Sequence, residues 1–495
     1  MQTTFEPIQD YKGKYPKQLY LLFFAEMWER FSFYGMKALL LAYMVTQLKF
    51  DEPKGYAILG SYAALVYTMP MFGGMMADRF LGYRRSVMFG GIMMSIGHFI
   101  LAIPQGWSFF YGMAFIICGN GFFKPNISSL VGTLYSNNDP RKDSAFSLFY
   151  MGINIGAALG GAICGYVGQY VNWHYGFGLA GIFMIIGLVV FYLGKNSLKE
   201  KGLPPDLKLL KKRLFGFLKT EWAIYGSTLL LIPVIVLLFN AYQLMDYIMF
   251  GLGGAAITYV LFISFRLETV SRNKLFAALV MIIFSTAFWA FYEQNSGSLN
   301  LFAIRNVNMN FLGYKLPALS VNNFLPPGWV IVLSFLFAWL WPWLNKRGKE
   351  PSTPGKFSFA FILMGIGFFI FSLACKTSTA SGLIPLWTFV LGYLFIISGE
   401  LCISPIGLSM ITKLSPVKVA SMMMGIWFFA TATGQFLAGK IGSLMSVPEE
   451  VQNNAVASLP YYADILNKIA IGSICVGILL LFTVPLLKKW MKNIH

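Results

Sequence analysis

Apolar residues dominate this chain in long runs, and short clusters of charge, proline and glycine separate the runs. Each run is about 20 residues long, enough for an α-helix rising 1.5 Å per residue to cross a hydrocarbon core of about 30 Å. Reading the pattern end to end predicts fourteen spans. Six come first, near 18–47, 54–77, 83–103, 107–133, 144–169 and 175–194. Two follow a basic stretch, near 221–241 and 244–265, and six more lie near 274–297, 327–345, 357–375, 383–411, 417–441 and 466–487. The expected class is an all-α polytopic membrane protein with 14 transmembrane helices.

Charge placement supports the count. Starting with the N-terminus in the cytoplasm, every second loop is basic: Arg79, Arg84 and Arg85; Arg141 and Lys142; the run from Lys195 to Lys219; Arg266, Arg272 and Lys274; Lys346, Arg347, Lys349 and Lys356; Lys413 and Lys418; and Lys488, Lys489 and Lys492. The loop near 442–465 instead carries Glu449, Glu450 and Asp464. This alternation follows the positive-inside rule for fourteen spans with both termini cytoplasmic. The expected location is therefore the cell (inner) membrane.

Composition agrees. Of 495 residues, 57% are hydrophobic and 12% charged, about half the charge of a soluble protein. A net charge of +18 suits a nucleic-acid binder, but its confinement to short loops makes an anionic lipid surface the expected neighbour and nucleic acid no partner. The five cysteines sit in or beside apolar runs without metal-type spacing, so no disulfide or metal is expected. The first sixteen residues lack a signal-peptide layout, which leaves insertion to the first span. Six, two and six spans divide the chain into an N-terminal bundle (1–195), a basic linker with an inserted helical pair (196–270) and a C-terminal bundle (271–495). Two halves facing each other, with a site at mid-depth, is a transporter layout.

The first span reads Glu26-Met-Trp-Glu29-Arg30-Phe-Ser-Phe-Tyr34-Gly-Met-Lys37. On a helix Glu26, Arg30, Tyr34 and Lys37 share an arc of about 80°, with Glu29 about 60° to one side. A charge at a helix centre costs about 2.5–3.5 kcal/mol on insertion scales, so this stripe must face protein or a wet cavity. A static buried ion cluster is the plain alternative, although Lys37 lies beyond the local pairing. Three further intramembrane charges stand out: Lys124 before Pro125-Asn126, where a kink is expected, Glu293 after Trp289 and Tyr292, and Glu400 before Ser404. Four carboxylates thus oppose three cations. An unmatched charge is disfavoured in a low-dielectric cavity, so at least one carboxyl is expected to exchange a proton. His98 and His174 lie apart from these motifs.

Tyr67 in the second span, and Tyr150 with Asn154 four residues on, are candidate cavity-lining groups; Gly152, Gly156 and Gly160 read as close helix packing. The loop Asp78-Arg79-Phe-Leu-Gly82-Tyr-Arg84-Arg85 serves either as a positive-inside turn or as a gate whose charge pairs break on opening. It closely resembles the cytoplasmic gating loop of the major facilitator superfamily. No nucleophile–base–orienter set or metal cluster appears in the spans, so no enzymatic activity is expected, and no long soluble loop suggests a receptor.

Together the Glu26-x-x-Glu29-Arg30-Phe-x-x-Tyr34 pattern, the Phe149-Tyr150-x-x-Ile153-Asn154-x-Gly156 stretch and Lys124 before its Pro-Asn resemble the proton-dependent oligopeptide transporter family, prokaryotic branch, over essentially the whole chain. The resemblance implies the major facilitator fold, two six-helix bundles plus two inserted helices. It also implies a proton-coupled symporter importing di- and tripeptides by alternating access, functioning as a monomer and needing no cofactor beyond the proton gradient. By that resemblance Arg30, Lys37 and Lys124 hold the peptide carboxylate, and Glu400 holds its ammonium. Tyr34, Tyr67, Tyr150, Asn154 and Trp289 line the pocket, while Glu26, Glu29, Arg30 and Glu293 couple the proton and Asp78, Arg79, Arg84 and Arg85 gate. The alternative is a proton-coupled carrier of another solute, such as nitrate or peptide-like drugs.

This sequence departs from the family pattern in three places. Lys37 stands where many members have Arg, giving a point charge in place of a fork. Gly60 stands where mammalian relatives carry a functional histidine. The pocket asparagine usual in the tenth span has no clear counterpart, with Asn322, Asn323 and Ser334 as candidates.

Overall fold

The structure, a computed structural model, describes residues 15–491 apart from 137–138, 140, 215, 405–406 and 417–418. Lys418 and Lys492, counted in the charge alternation, lie outside the described residues. Helices form where the apolar runs predict them: α1 (Lys17–Thr46), α2 (Glu52–Met76), α3 (Gly82–Leu101), α4 (Gly106–Thr133), α5 (Arg141–Tyr166) and α6 (Trp173–Gly194). A short α7 (Leu207–Lys211) precedes the inserted pair, α8 (Thr220–Asn240) and α9 (Leu244–Ser264). Then come α10 (Thr269–Tyr292), α11 (Ser298–Asn306), α12 (Ala318–Lys346), α13 (Thr353–Thr377), α14 (Leu386–Ile403), α15 (Gly407–Leu414), α16 (Ala420–Leu444) and α17 (Ala455–Met491). The expected spans fall on helices, except that the twelfth (383–411) is divided between α14 and α15 with 405–406 outside the described residues, and the start of the thirteenth (417–418) also lies outside them.

Nine of the described helical spans are long and apolar enough to cross a membrane on length and composition alone. Helix α1 is not among them, because its charges offset its apolar residues. Most of it is enclosed, with Leu22, Ala25, Met36 and Leu39 fully buried, while Tyr20 and Phe24 near its start are exposed. The buried stretch has no lipid-facing side to keep apolar.

Three spans are longer than their sequence patterns suggest. The ninth passes from α10 through a 3₁₀ turn at Glu293–Ser296 into α11, because the polar Gln294, Asn295, Ser298 and Asn300 are buried and bonded inside the protein. Helix α12 begins at Ala318 and runs through Pro326 and Pro327, residues that read as a helix start in sequence. Helix α17 begins at Ala455, its extra turns burying Leu459, Tyr462 and Leu466.

The chain divides into two compact units. One holds the chain up to Leu39 together with Leu65–Asn240, and the other holds Leu40–Ala64 together with the chain from Ala241. In the first, α3 and α4 approach so closely that a Cβ on Gly90 would lie 2.5 Å from the Gly119 carbonyl oxygen. In the second, α13 packs on α14 and α17 around Phe357, Phe361, Phe368, Phe371 and Phe389. The inserted pair is split between them: α8 packs on α4 in the first unit, and α9 on α10 and α16 in the second.

Candidate functional site

The charged stripe of α1 is buried within the first unit. Arg30 is 2% exposed, Glu26 1% and Glu29 0%. The Arg30 guanidinium holds Glu29 through two bonds, Nε to Oε2 and Nη2 to Oε1 at 2.7 Å, and Nε lies 3.2 Å from Glu26 Oε1. Asn120 on α4 donates to Glu29 Oε1 at 3.4 Å. One guanidinium therefore serves two carboxylates, a task suited to its planar fork and not to an ammonium.

The stripe is not saturated. Glu26 Oε2 and Asn120 Oδ1 are buried acceptors with no hydrogen-bond donor, and a buried polar atom left unpaired costs about 1–3 kcal/mol. A proton on Glu26 turns an orphan acceptor into a donor.

Lys124 stands on α4 within electrostatic reach of Glu26, Glu29, Arg30 and Lys37. Its Nζ lies 4.6 Å from the centre of the Tyr67 ring, a cation–π contact. Pro125 lies inside the continuous helix α4 and leaves the Gly121 carbonyl without its helical donor. Gly73 of α2 lies directly against that carbonyl, where a Cβ would come within 2.0 Å. Lys37 is 5% exposed, whereas Tyr34, Tyr67 and Lys124 are only half-buried. Arg30, Tyr34, Lys37, Tyr67 and Lys124 are thus brought together with the two glutamates.

Tyr150 is exposed, while Asn154 is buried and gives its amide to the Tyr150 carbonyl at 2.9 Å. The glycines of α5 have the packing role read from the sequence. A Cβ on Gly156 would lie 2.1 Å from the Met27 carbonyl oxygen, and one on Gly160 2.2 Å from that of Phe31. They seat α5 against the backbone that carries Arg30. On another face of α1, Ser32 meets His98 Nε2 at 2.5 Å, away from the charged stripe.

In the second unit, Glu400 on α14 is 7% exposed. It accepts the Tyr292 hydroxyl proton at Oε2 and a bond from Ser404 at 3.4 Å. Glu293 begins the 3₁₀ turn that follows α10 and accepts from Gln435 of α16 at 2.7 Å. The two carboxylates interact electrostatically, and Trp289 packs edge-on to Tyr292 with ring centres 5.4 Å apart. Asn322 is fully buried and bonds the Asn295 carbonyl (2.8 Å) and Asn300 (2.7 Å), while Tyr393 donates to it. It fastens the broken helix in place. Asn323 also bonds Asn300, and Ser334 bonds its own helix.

Gly60 sits where α2 meets α16, and a Cβ there would lie 3.0 Å from the Phe436 carbonyl oxygen and 3.1 Å from Gly439 Cα. Any side chain here would press on the backbone of α16.

The segment expected as a loop after α2 is a wide helical turn, Ala77–Leu81, that leads into α3; Asp78 and Arg79 on it are exposed, and Gly82 has φ +70°. Arg84 binds the carbonyls of Lys199 and Lys201, and Arg85 pairs with Glu221 of α8. Both arginines are held to the linker and the inserted pair within one unit.

Sequence reasoning missed Tyr292 and Gln435 as partners of the acidic groups. It also missed the pair of Glu52 with Arg305. Glu52, 1% exposed, accepts from Arg305 and from the Val447 amide at 3.1 Å; Arg305 also reaches Tyr462 and Gln452. The one sequence signal was Arg305 itself, a charge close behind an apolar run. Among the described residues no cluster of His, Cys, Asp and Glu has the arrangement of a metal site.

Residues 84–458 match the model of the POT family. The transporter YclF of Bacillus subtilis is 37% identical over 97% of this chain and 96% of its own. Dipeptide and tripeptide permease B of Photorhabdus asymbiotica is 33% identical over 97% of each. A peptide transporter crystallised in complex with alafosfalin superposes with a TM-score of 0.82 at 32% identity over 98% of each chain. A bacterial homologue of the human drug peptide transporters PepT1 and PepT2 gives 0.83 at 28% identity, covering 95% of this chain and 98% of that one. The fold is the major facilitator fold, two six-helix bundles plus two inserted helices. The chain belongs to the POT family, the proton-dependent oligopeptide transporters.

Proposed function

We propose that this protein is a proton-coupled symporter importing di- and tripeptides by alternating access across the cell (inner) membrane, with both termini cytoplasmic. The observation that carries the reading is the buried Glu26–Arg30–Glu29 group on α1, completed by Lys124 and carrying an orphan carboxylate oxygen. A static structural cluster has no reason to leave that oxygen unbonded. A proton carrier has one, because the bonding changes when the proton arrives.

In this reading Arg30, Lys37 and Lys124 take the peptide carboxylate and Glu400 takes the ammonium. Tyr34, Tyr67, Tyr150, Asn154 and Trp289 supply the lining. Glu26, Glu29, Arg30 and Glu293 couple proton to substrate, and Asp78, Arg79, Arg84 and Arg85 serve the cytoplasmic gate. The functional divisions are 1–195, 196–270 and 271–495, and a monomer is the working unit. The permeases named among the relatives act on di- and tripeptides, which supports the substrate class.

Competition against labelled dialanine in proteoliposomes tests the specificity. Unlabelled di- and tripeptides should compete, whereas nitrate and dialanine blocked at both ends should not. Competition by nitrate but not by peptides would assign the protein to simple anions.

A further inference from the structure

The linker from 195 to 219 carries Lys195, Lys199, Lys201, Lys208, Lys211, Lys212, Arg213 and Lys219 against only Glu200 and Asp206. The proposed transport site includes none of these groups. Asp206 is already committed, since its carboxylate caps α7 by accepting from the amides of Lys208 (2.7 Å) and Leu209 (3.1 Å). The linker is also held in place, with Arg84 bonded to two of its carbonyls and Arg85 to Glu221 just beyond it.

After α7 the chain folds into a small antiparallel hairpin, with Arg213 opposite Lys219 and Leu214 opposite Leu218. Two cations directly opposite each other in a ladder repel. Among the described residues Lys208, Lys211, Lys212, Arg213 and Lys219 enter no ion pair. The apolar side chains here are equally unsatisfied: Phe217 is 75% exposed, Trp222 59%, and Leu207 and Leu214 are exposed too.

Position identifies what covers them. Helix α8 starts at Thr220 and has 21 residues, about 31 Å of helix, which spans the hydrocarbon with nothing to spare. Thr220 therefore sits at the membrane boundary, Trp222 in the interfacial aromatic belt, and the hairpin at headgroup depth.

We propose that α7 and the paired strands Arg213–Leu214 and Leu218–Lys219 form an interfacial anchor that binds anionic phospholipid headgroups. Lys208, Lys211, Lys212, Arg213 and Lys219 receive the phosphates, and Leu214 and Phe217 enter the acyl boundary. Cations without partners, a like-charge pair that an anion between them relieves, and exposed apolar groups at the mouth of a span all fit an anionic membrane surface. This anchor is independent of the transported solute.

The full-length protein in detergent, titrated with phosphatidylglycerol and followed by native mass spectrometry, tests the anchor. The wild type should retain phosphatidylglycerol over phosphatidylcholine. The K211Q/K212Q/R213Q/K219Q variant should bind it about tenfold or more weakly, with an unchanged melting temperature. A local readout is a nitroxide at Phe217→Cys in a Cys475→Ser background. It should be accessible to oxygen in phosphatidylglycerol liposomes and move to water in the charge variant. Equal lipid retention by the variant, a label in water in both, or displacement of the lipid by inorganic phosphate overturns the proposal.

Discussion

At the scale of single residues, one guanidinium organises the first unit. Arg30 holds Glu29 by two hydrogen bonds and forms an ion pair with Glu26 at 3.2 Å, so its charge is shared before any substrate arrives. On the proposed mechanism a substrate carboxylate that draws on Arg30 weakens its hold on the glutamates, and a protonated glutamate releases it, so the two events favour each other. Glu293 is the corresponding acid of the second unit, and it accepts a hydrogen bond from the neutral Gln435. The Glu293→Gln variant should therefore lose gradient-driven uptake by about tenfold or more while retaining counterflow exchange of labelled peptide, since it removes a proton site and leaves the peptide-binding groups in place. Unimpaired gradient-driven uptake in that variant would take Glu293 off the proton path.

At the scale of elements, the α1–α5 contact and the second unit's grip on α2 are the exposed points. Gly156 lies against the Met27 carbonyl with no space for a methyl group. Gly156→Ala should displace α1 beside Arg30, at a cost of about 1–3 kcal/mol. It should lower uptake more than Gly226→Ala, a position on α8 where a Cβ meets nothing within 4 Å. Equal melting temperatures and uptake for the two variants would dissociate the glycine stripe from the charged site.

The Glu52–Arg305 pair holds the start of α2 to α11. Both groups are largely buried, so a double-mutant cycle of Glu52→Gln and Arg305→Ala, read by thermal unfolding, should give a coupling energy of about 1–3 kcal/mol. Additive losses would reduce the pair to an incidental contact.

The same elements explain what could be read in advance. The stripe on α1 was legible because four charged groups within a single apolar run have no lipid-compatible placement. The spans were legible because bilayer thickness imposes a length and loop charge imposes an alternation. The partners were not. Arg305 meets Glu52 across 253 residues, Arg85 meets Glu221 across 136, Gln435 meets Glu293 across 142 and Tyr292 meets Glu400 across 108. Each looks locally like an ordinary loop or core residue. The ninth span was cut short at 297 for a related reason: Asn300 looks like a loop residue until Asn322, 22 residues on, is seen to bond it and the Asn295 carbonyl.

At the scale of the whole molecule, the charged group of each unit is unbalanced in the opposite sense, with cations in excess in the first and acids in the second. The first has Glu26 and Glu29 with Arg30, Lys37 and Lys124, and the second has Glu293 and Glu400 beside tyrosine, serine and glutamine. On the proposed mechanism a zwitterionic peptide brings a charge opposite to each group, and a proton settles the remainder. The most direct measurement is the initial rate of dialanine uptake into proteoliposomes when a pH step, acid outside, is imposed. Accumulation above equilibrium that collapses when a protonophore is added is the predicted result. Uptake that ignores the pH step, or none across a panel of di- and tripeptides, would contradict it.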